Sequence, residues 1–299
     1  MMEIGRLLPA MVTPFDENGQ VDYAQAKRLA LALLDSGSDG LVVAGTTGES
    51  PTLSTDEKLR LFAEIKGAVG ARGSVVAGTG TYNTAESVEL TREATARGVD
   101  GVLLTTPYYS KPPQEGLFRH FETIAQATML PCIIYNIPGR TGVNVTVETT
   151  VRLSRVPNII GTKEASGDLL QIAAIAAETG DDFRIWSGDD QLTLPIMSVG
   201  GYGAISVVAH LAGAQIHAMI DAHVEGRVAE AARTHQQLLP LVKAIMTTMS
   251  NPIPVRHALN TIGFKVGKPR LPLVEPDEST GDQIAEEVRR SQIDLAVTV

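Results

Sequence analysis

Short apolar runs alternate with stretches of helical period along most of this chain, the pattern of a parallel α/β fold. The apolar runs predict strands over Leu7–Thr13, Gly40–Ala44, Val75–Gly78, Gly101–Leu104, Cys132–Asn136, Ile159–Lys163, Arg184–Ser187 and Gly203–Val207. Between them the spacing predicts helices over Tyr23–Leu34, Thr55–Val69, Thr84–Arg97, Gln114–Gln126, Val147–Ser154, Leu169–Glu178, Gln191–Ser198 and Ala212–His223. Eight βα units in residues 1–224 fit a (β/α)8 TIM barrel better than an open doubly wound sheet. Arg227–Thr248, Pro254–Gly263 and Gly281–Ala296 then read as helices with no strands between them. The expected organisation is a barrel domain over 1–224, carrying the active site, and a C-terminal helical domain over 225–299.

Such a barrel keeps its chemistry at the carboxyl ends of its strands. Strand two ends in Gly45-Thr46-Thr47-Gly48-Glu49-Ser50, and strand four in Thr105-Thr106-Pro107-Tyr108-Tyr109. Strand five ends at Tyr135 and runs into Asn136-Ile137-Pro138-Gly139-Arg140-Thr141-Gly142. Strand six ends at Lys163, strand seven at Gly188-Asp189-Asp190, and strand eight near Ile205-Ser206. Hydroxyls, an arginine and a lysine thus converge on one rim from separate strands.

Lys163 is the most informative of these residues. Apolar strand ends around it would strip hydration from its ammonium, and moving its pKa from ~10.4 to ~7 corresponds to roughly 5 kcal/mol. A neutral amine is what attack on a carbonyl needs, which points to Schiff-base chemistry. The competing reading is a solvated lysine in a strand-to-helix loop. Gly45–Gly48 reads as a carboxylate cradle, with glycines expected at φ > 0 to aim backbone N–H groups and threonines adding hydroxyls; the competing reading is an ordinary glycine-rich turn. Tyr135 and Tyr109 are phenols placed to relay protons, or simply to pack. Arg140, in a Gly-Arg-Thr-Gly loop without an adjacent acid, suits bidentate capture of a carboxylate, against the alternative of a solvated loop arginine.

Composition narrows the classes. The chain has 299 residues, 43% hydrophobic and 20% charged, enough for one large core or two domains. A formal net charge of −9 with acids and bases interspersed argues against nucleic acid as a partner. The apolar stretches are strand-sized and Met1–Arg6 has no signal-peptide pattern, so a cytoplasmic protein with no membrane partner is expected. Cys132, the single cysteine, reads as a small core residue. Gly78-Thr79-Gly80-Thr81-Tyr82-Asn83 lacks the third glycine of a dinucleotide fingerprint and reads as a turn with an N-cap at Asn83 or Thr84. Ser166 or Asp168 is the expected cap of the helix after Lys163. No metal motif stands out: His210 and His217 fall seven apart on one expected helix face without a partner acid, and Asp189-Asp190 suits a helix N-terminus.

Taken together, these residues resemble the dihydrodipicolinate synthases, within the pyruvate-dependent class I aldolase and lyase superfamily that includes N-acetylneuraminate lyase. The resemblance runs from Pro9-Ala10-Met11-Val12-Thr13-Pro14-Phe15 to Asn251-Pro252-Ile253-Pro254-Val255. It rests on Gly-Thr-Thr-Gly-Glu at 45–49, Thr-Pro-Tyr-Tyr at 106–109, Tyr-Asn-Ile-Pro at 135–138, Gly-Thr-Lys-Glu-Ala at 161–165 and Ser-Gly-Asp-Asp at 187–190. It implies a Schiff-base lyase of lysine and diaminopimelate biosynthesis that condenses pyruvate with L-aspartate 4-semialdehyde, without a cofactor or metal. Lys163 would form the pyruvate imine and Tyr135 would donate and accept the proton. Thr46 and Tyr109 would complete the relay, Tyr109 across a subunit contact. Thr47 would hold the pyruvate carboxylate, Ile205 would give it a backbone contact, and Arg140 would meet the carboxylate of the aldehyde.

The resemblance also implies a homotetramer built as a dimer of dimers. Two alternatives stand beside it: a related aldolase or lyase acting on N-acetylneuraminate or a 2-keto-3-deoxy acid, and a barrel that binds ligand without turnover. Arg140 and the Thr46-Thr47 pair favour the synthase. Lysine-regulated relatives carry an inhibitor pocket near this Thr-Thr-Gly-Glu-Ser segment. Ser50, Glu86 and Tyr108 would fit such a pocket, whereas Thr55, Lys58 and Tyr82 depart from it. The expectation is weak or absent inhibition by free L-lysine.

Overall fold

The computed structural model describes residues 3–297, so the first two residues of the Met1–Arg6 start and the last two of the C-terminal segment lie outside the described residues. Eight strands form one parallel sheet: β1 Leu7–Pro9, β2 Gly40–Val43, β3 Ser74–Gly78, β4 Gly101–Thr105, β5 Cys132–Asn136, β6 Ile159–Glu164, β7 Arg184–Ser187 and β8 Gly203–Ser206. From β2 to β8 each pairs with the next, and β8 pairs with β1. The barrel closes through the single bridge Ala10–Val42, where Met11 N donates to Val42 O at 2.9 Å. The expected first strand ran to Thr13, but the ladder stops earlier because later N–H groups turn elsewhere: Val12 N donates to His210 Nε2 at 3.1 Å.

Residues alternate between two buried faces on every strand, which is why the strands read as unbroken apolar runs. Leu8, Val42, Val76, Leu103, Ile133, Trp186 and Ile205 fill the barrel interior together with Tyr135. Their neighbours Leu7, Leu41, Val43, Val75, Val102 and Ile134 face outward into the core shared with the helices.

Those helices are α1 Tyr23–Asp35, α2 Thr55–Val69, α3 Thr84–Ala96, α4 Gln114–Ala125, α5 Pro138–Thr141, α6 Val147–Leu153, α7 Leu169–Glu178, α8 Thr193–Ser198 and α9 Ala209–Val224. Local capping sets their starts. Ser54 and Glu57 form a capping box at α2, Asn83 accepts from Ala85 N and Glu86 N at α3, and Asp168 accepts from Leu170 N and Gln171 N at α7. The helix expected at Gln191–Ser198 opens with a 3₁₀ turn over Asp190–Leu192, and the one expected at Ala212–His223 begins at Ala209 with non-helical backbone at Ala212.

Three further helices follow: α10 Val228–Met246, α11 Ile253–Thr261 and α12 Glu278–Arg290. They do not hang free of the barrel. Asp294 N donates to Leu211 O at 2.7 Å, and Arg256 from α11 donates to Thr13 O at 2.7 Å. Among the described residues, no helix is long and apolar enough to cross a membrane.

Candidate active site

Alternation along β5 and β6 decides which side chains meet. The register pairs Tyr135 with Lys163, and both point into the barrel interior at the carboxyl end. Lys163 is 4% exposed and its Nζ lies 4.2 Å from the centre of the Tyr135 ring. Burial brings the Lys163 pKa down to about 7; the negative charge of Asp190 pulls it upward and the Arg140 guanidinium pushes it further down. Burial likewise pushes the Tyr135 phenol up to about 12, against the opposing effects of Arg140 and of a side-chain hydrogen bond with Thr46. Near pH 7 the site therefore holds a substantially neutral amine beside a protonated phenol, a nucleophile next to a proton donor. Gly188 leaves room for the lysine stem: a Cβ there would sit 3.0 Å from Lys163 Cε and 3.1 Å from its Cγ.

The β2 loop brings Thr46 and Thr47 to this site, but not by the expected backbone. Left-handed conformations fall on Ala44 (φ +53°) and Glu49 (φ +56°), not on Gly45 or Gly48. Glycine is needed at 48 for close approach, since a Cβ would lie 3.0 Å from Met11 O. Strained backbone at non-glycine residues persists where the surroundings over-determine it, and here they do. Glu49 and Arg256 form a fully buried ion pair at 3.1 Å, while Glu49 Oε2 accepts from Arg270 N at 3.0 Å. Breaking one partner of such a pair typically costs 3–5 kcal/mol, so the C-terminal helices hold the loop that carries both threonines.

Arg140 lies on the single-turn helix α5, not in the open loop that the Gly-Arg-Thr-Gly run predicts, because Pro138 starts a helical turn that Gly142 ends at φ +73°. Its Nη2 donates to Asn251 O at 3.0 Å, and the Asn251 side chain in turn donates to Thr47 Oγ1 at 2.9 Å. One residue of the C-terminal segment thus bridges Thr47 and Arg140, two residues that nothing in their sequence spacing connects. Asn251 falls within the quoted Asn-Pro-Ile-Pro motif, yet its distance along the chain from any strand end hides this role.

A cavity of about 220 Å³ opens beside these groups, lined by Thr46, Ser50, Lys58, Thr81, Tyr108 and Arg140 among others. Lys58 is half-buried there; burial lowers its pKa and Glu86 opposes this. Tyr82 packs edge-on against Tyr108 with ring centres 5.1 Å apart. Ile205 is fully buried in β8, paired with Leu8.

Tyr109 is the expected site residue that the chain does not bring in: its backbone sits at φ +71° and the side chain is 94% exposed. The acidic pair also divides. Asp189 caps the 3₁₀ turn through Gln191 N, whereas Asp190 is buried and accepts from Ser206 Oγ, Val207 N and Val208 N, at the start of α9 instead of its own turn. His210 bonds Val12 N and Val207 O, and the non-helical Ala212 separates it from His217, so the two do not form one face. Among the described residues no group of three or more His, Cys, Asp or Glu is arranged to hold a metal ion.

The chain is similar over its length to known proteins. A model of the dihydrodipicolinate synthetase family matches residues 3–291. The 4-hydroxy-tetrahydrodipicolinate synthase of Dehalococcoides mccartyi is 54% identical over 297 residues, spanning 99% of this chain and 100% of the relative. That of Moorella thermoacetica is 56% identical over 284 residues, spanning 95% and 97%. The crystal structure of a dihydrodipicolinate synthase from Bacillus anthracis superposes with a TM-score of 0.94 at 44% identity, covering 97% of this chain and 99% of that one. With its barrel, its buried strand-end lysine and its full-length match, the chain belongs to the dihydrodipicolinate synthetase family.

Proposed function

We propose that the chain acts as a 4-hydroxy-tetrahydrodipicolinate synthase, condensing pyruvate with L-aspartate 4-semialdehyde. The observation that carries this reading is the buried Lys163 amine held over the Tyr135 ring, with Thr46 close enough to the phenol to lower its pKa. The neutral amine attacks the pyruvate ketone, water leaves, and an imine forms. The imine withdraws electrons, a methyl proton departs, and the resulting enamine attacks the aldehyde carbon. The amino group of the second substrate then displaces Lys163 as the ring closes, which frees the enzyme. Tyr135, with Thr46 behind it, gives and takes the protons; Thr47 receives the pyruvate carboxylate and the Ile205 backbone flanks it. Tyr109 serves the site of a second copy, which agrees with its exposure in the single chain. A cytoplasmic homotetramer, a dimer of dimers, follows from the family resemblance on the same reasoning.

Two features favour this reading over a sugar-acid lyase: Arg140 at the cavity mouth, and a Thr-Thr pair at 46–47. A coupled synthase assay run beside retro-aldol assays on N-acetylneuraminate and 2-keto-3-deoxy acids tests it. Turnover with pyruvate plus the semialdehyde and none with the sugar acids is expected; the reverse pattern contradicts the assignment.

Arg140→Ala is expected to raise the KM for the semialdehyde by about 10- to 100-fold, since a charge-assisted hydrogen bond contributes about 1.5–3 kcal/mol. Pyruvate imine formation should change far less. Equal loss with both substrates would remove Arg140 from its assigned role.

Free L-lysine is expected to inhibit weakly or not at all. Lys58 lines the cavity instead of swinging into solvent, so it sets a positive charge against a ligand with two ammonium groups. A titration checks this, and half-inhibition at sub-millimolar lysine would overturn it.

A further inference from the structure

Glu164 follows Lys163 on β6, so strand alternation sends its side chain out of the barrel interior, behind the catalytic lysine. It is fully buried. Its Oε1 accepts from Asn136 Nδ2 at 3.1 Å and its Oε2 from Ser166 Oγ at 2.8 Å. Asn136 stands in the same relation to Tyr135, and the β5–β6 register pairs Asn136 with Glu164 just as it pairs Tyr135 with Lys163.

The outward pair is anchored in turn. Asn136 Nδ2 donates to Asn144 Oδ1 at 2.8 Å, Asn136 Oδ1 accepts from Val145 N at 3.0 Å, and Asn144 Nδ2 donates to Gln171 Oε1 on α7 at 2.7 Å. Among the described residues no cation forms an ion pair with Glu164, and burial raises its pKa to about 7. A buried carboxyl without a counter-ion is costly, and an apolar residue would fill this outward layer more favourably. What the carboxyl supplies instead is two acceptors at fixed positions, one for each strand end that it joins.

We propose that Glu164 is a positioning residue of the reaction: with Asn136 it pins the ends of β6 and β5 from behind, so that Lys163 and Tyr135 face each other across the site. Glu164 touches no substrate in this account. The proposal rests on the roles given above to Lys163 and Tyr135, and its test separates the two claims.

Two readouts on pyruvate alone are needed: borohydride trapping, which reports the imine, and exchange of the pyruvate methyl protons with solvent deuterium, which reports proton transfer through Tyr135. Glu164→Ala should still trap pyruvate but exchange its methyl protons about 10- to 100-fold more slowly per trapped imine, the scale on which small misplacements act. Glu164→Gln keeps the shape and an acceptor for Asn136, and should restore exchange to within a few-fold. Exchange per imine within twofold of the unmodified enzyme in Glu164→Ala would overturn the proposal, as would a Gln variant as impaired as the Ala variant. If Glu164→Ala does not fold, Ser166→Ala, which removes a single donor from a half-buried position, must show the same selective slowing; unchanged exchange there overturns it equally. Absence of trapping in the unmodified enzyme would instead defeat the Lys163 assignment itself.

Discussion

Lys163→Met is expected to abolish turnover, by at least about 10⁴-fold, while the barrel stays folded. No other described amine faces Tyr135 in the barrel interior, and loss of a covalent nucleophile is among the largest single effects in enzymes. The same residue sets the pH profile. With its pKa at about 7, the nucleophilic amine predominates above that value, and its fraction falls tenfold per pH unit below it. The kcat/KM for pyruvate should therefore show an acid limb near pH 7. A limb near 10 would mean a solvated lysine.

Stability moves with pH in the same direction, over a higher window. A folded pKa below the unfolded one means that the unfolded chain binds this proton more tightly, so stability rises with pH between the two values. The cost of burying Lys163 is fully present below about 7 and disappears above ~10.4. Lys163→Met, an apolar side chain of similar length, should thus melt no lower than the unmodified protein at neutral pH. Inactivity together with a raised or equal melting temperature separates loss of chemistry from loss of fold.

Tyr135→Phe is expected to lower kcat by 10²–10⁴-fold, or roughly 3–5 kcal/mol of barrier, with the fold retained. The ring stays in the interior cluster with Ile133, Trp186 and Ile205, so packing is preserved and only the phenol is lost. With its pKa near 12 this phenol is protonated at working pH, as a group that first donates must be. Trapping of pyruvate should persist in the variant, because imine formation uses the Lys163 amine. A kcat within a few-fold of normal would reduce Tyr135 to a packing residue.

What the sequence disclosed follows the range of the forces involved. Burial on both faces writes β5 as an apolar run and marks β6 by the Ile159-Ile160 pair, so their ends, and with them Tyr135 and Lys163, are legible. Helix starts were legible where a local cap fixes them, as at Asn83 and Asp168. The one-turn helix at Arg140 was not, because four residues are too few to show a period. The cradle's glycines suggest torsional freedom at 45 and 48, whereas tertiary packing puts the strained torsions on Ala44 and Glu49. Asn251 and Glu164 were missed for another reason: their roles lie in hydrogen bonds to residues distant in sequence, which leave no local pattern. Tyr109 marks a further limit, since its exposed ring has no partner within the single chain's site.

The central claim is a covalent one, and reductive trapping tests it directly. Incubation with pyruvate and borohydride, followed by peptide mapping by mass spectrometry, should place a stable pyruvate-derived adduct on Lys163 and abolish activity in proportion, with chelators having no effect. Activity lost to EDTA, with no adduct on Lys163, would contradict the account and favour a metal-dependent aldol mechanism.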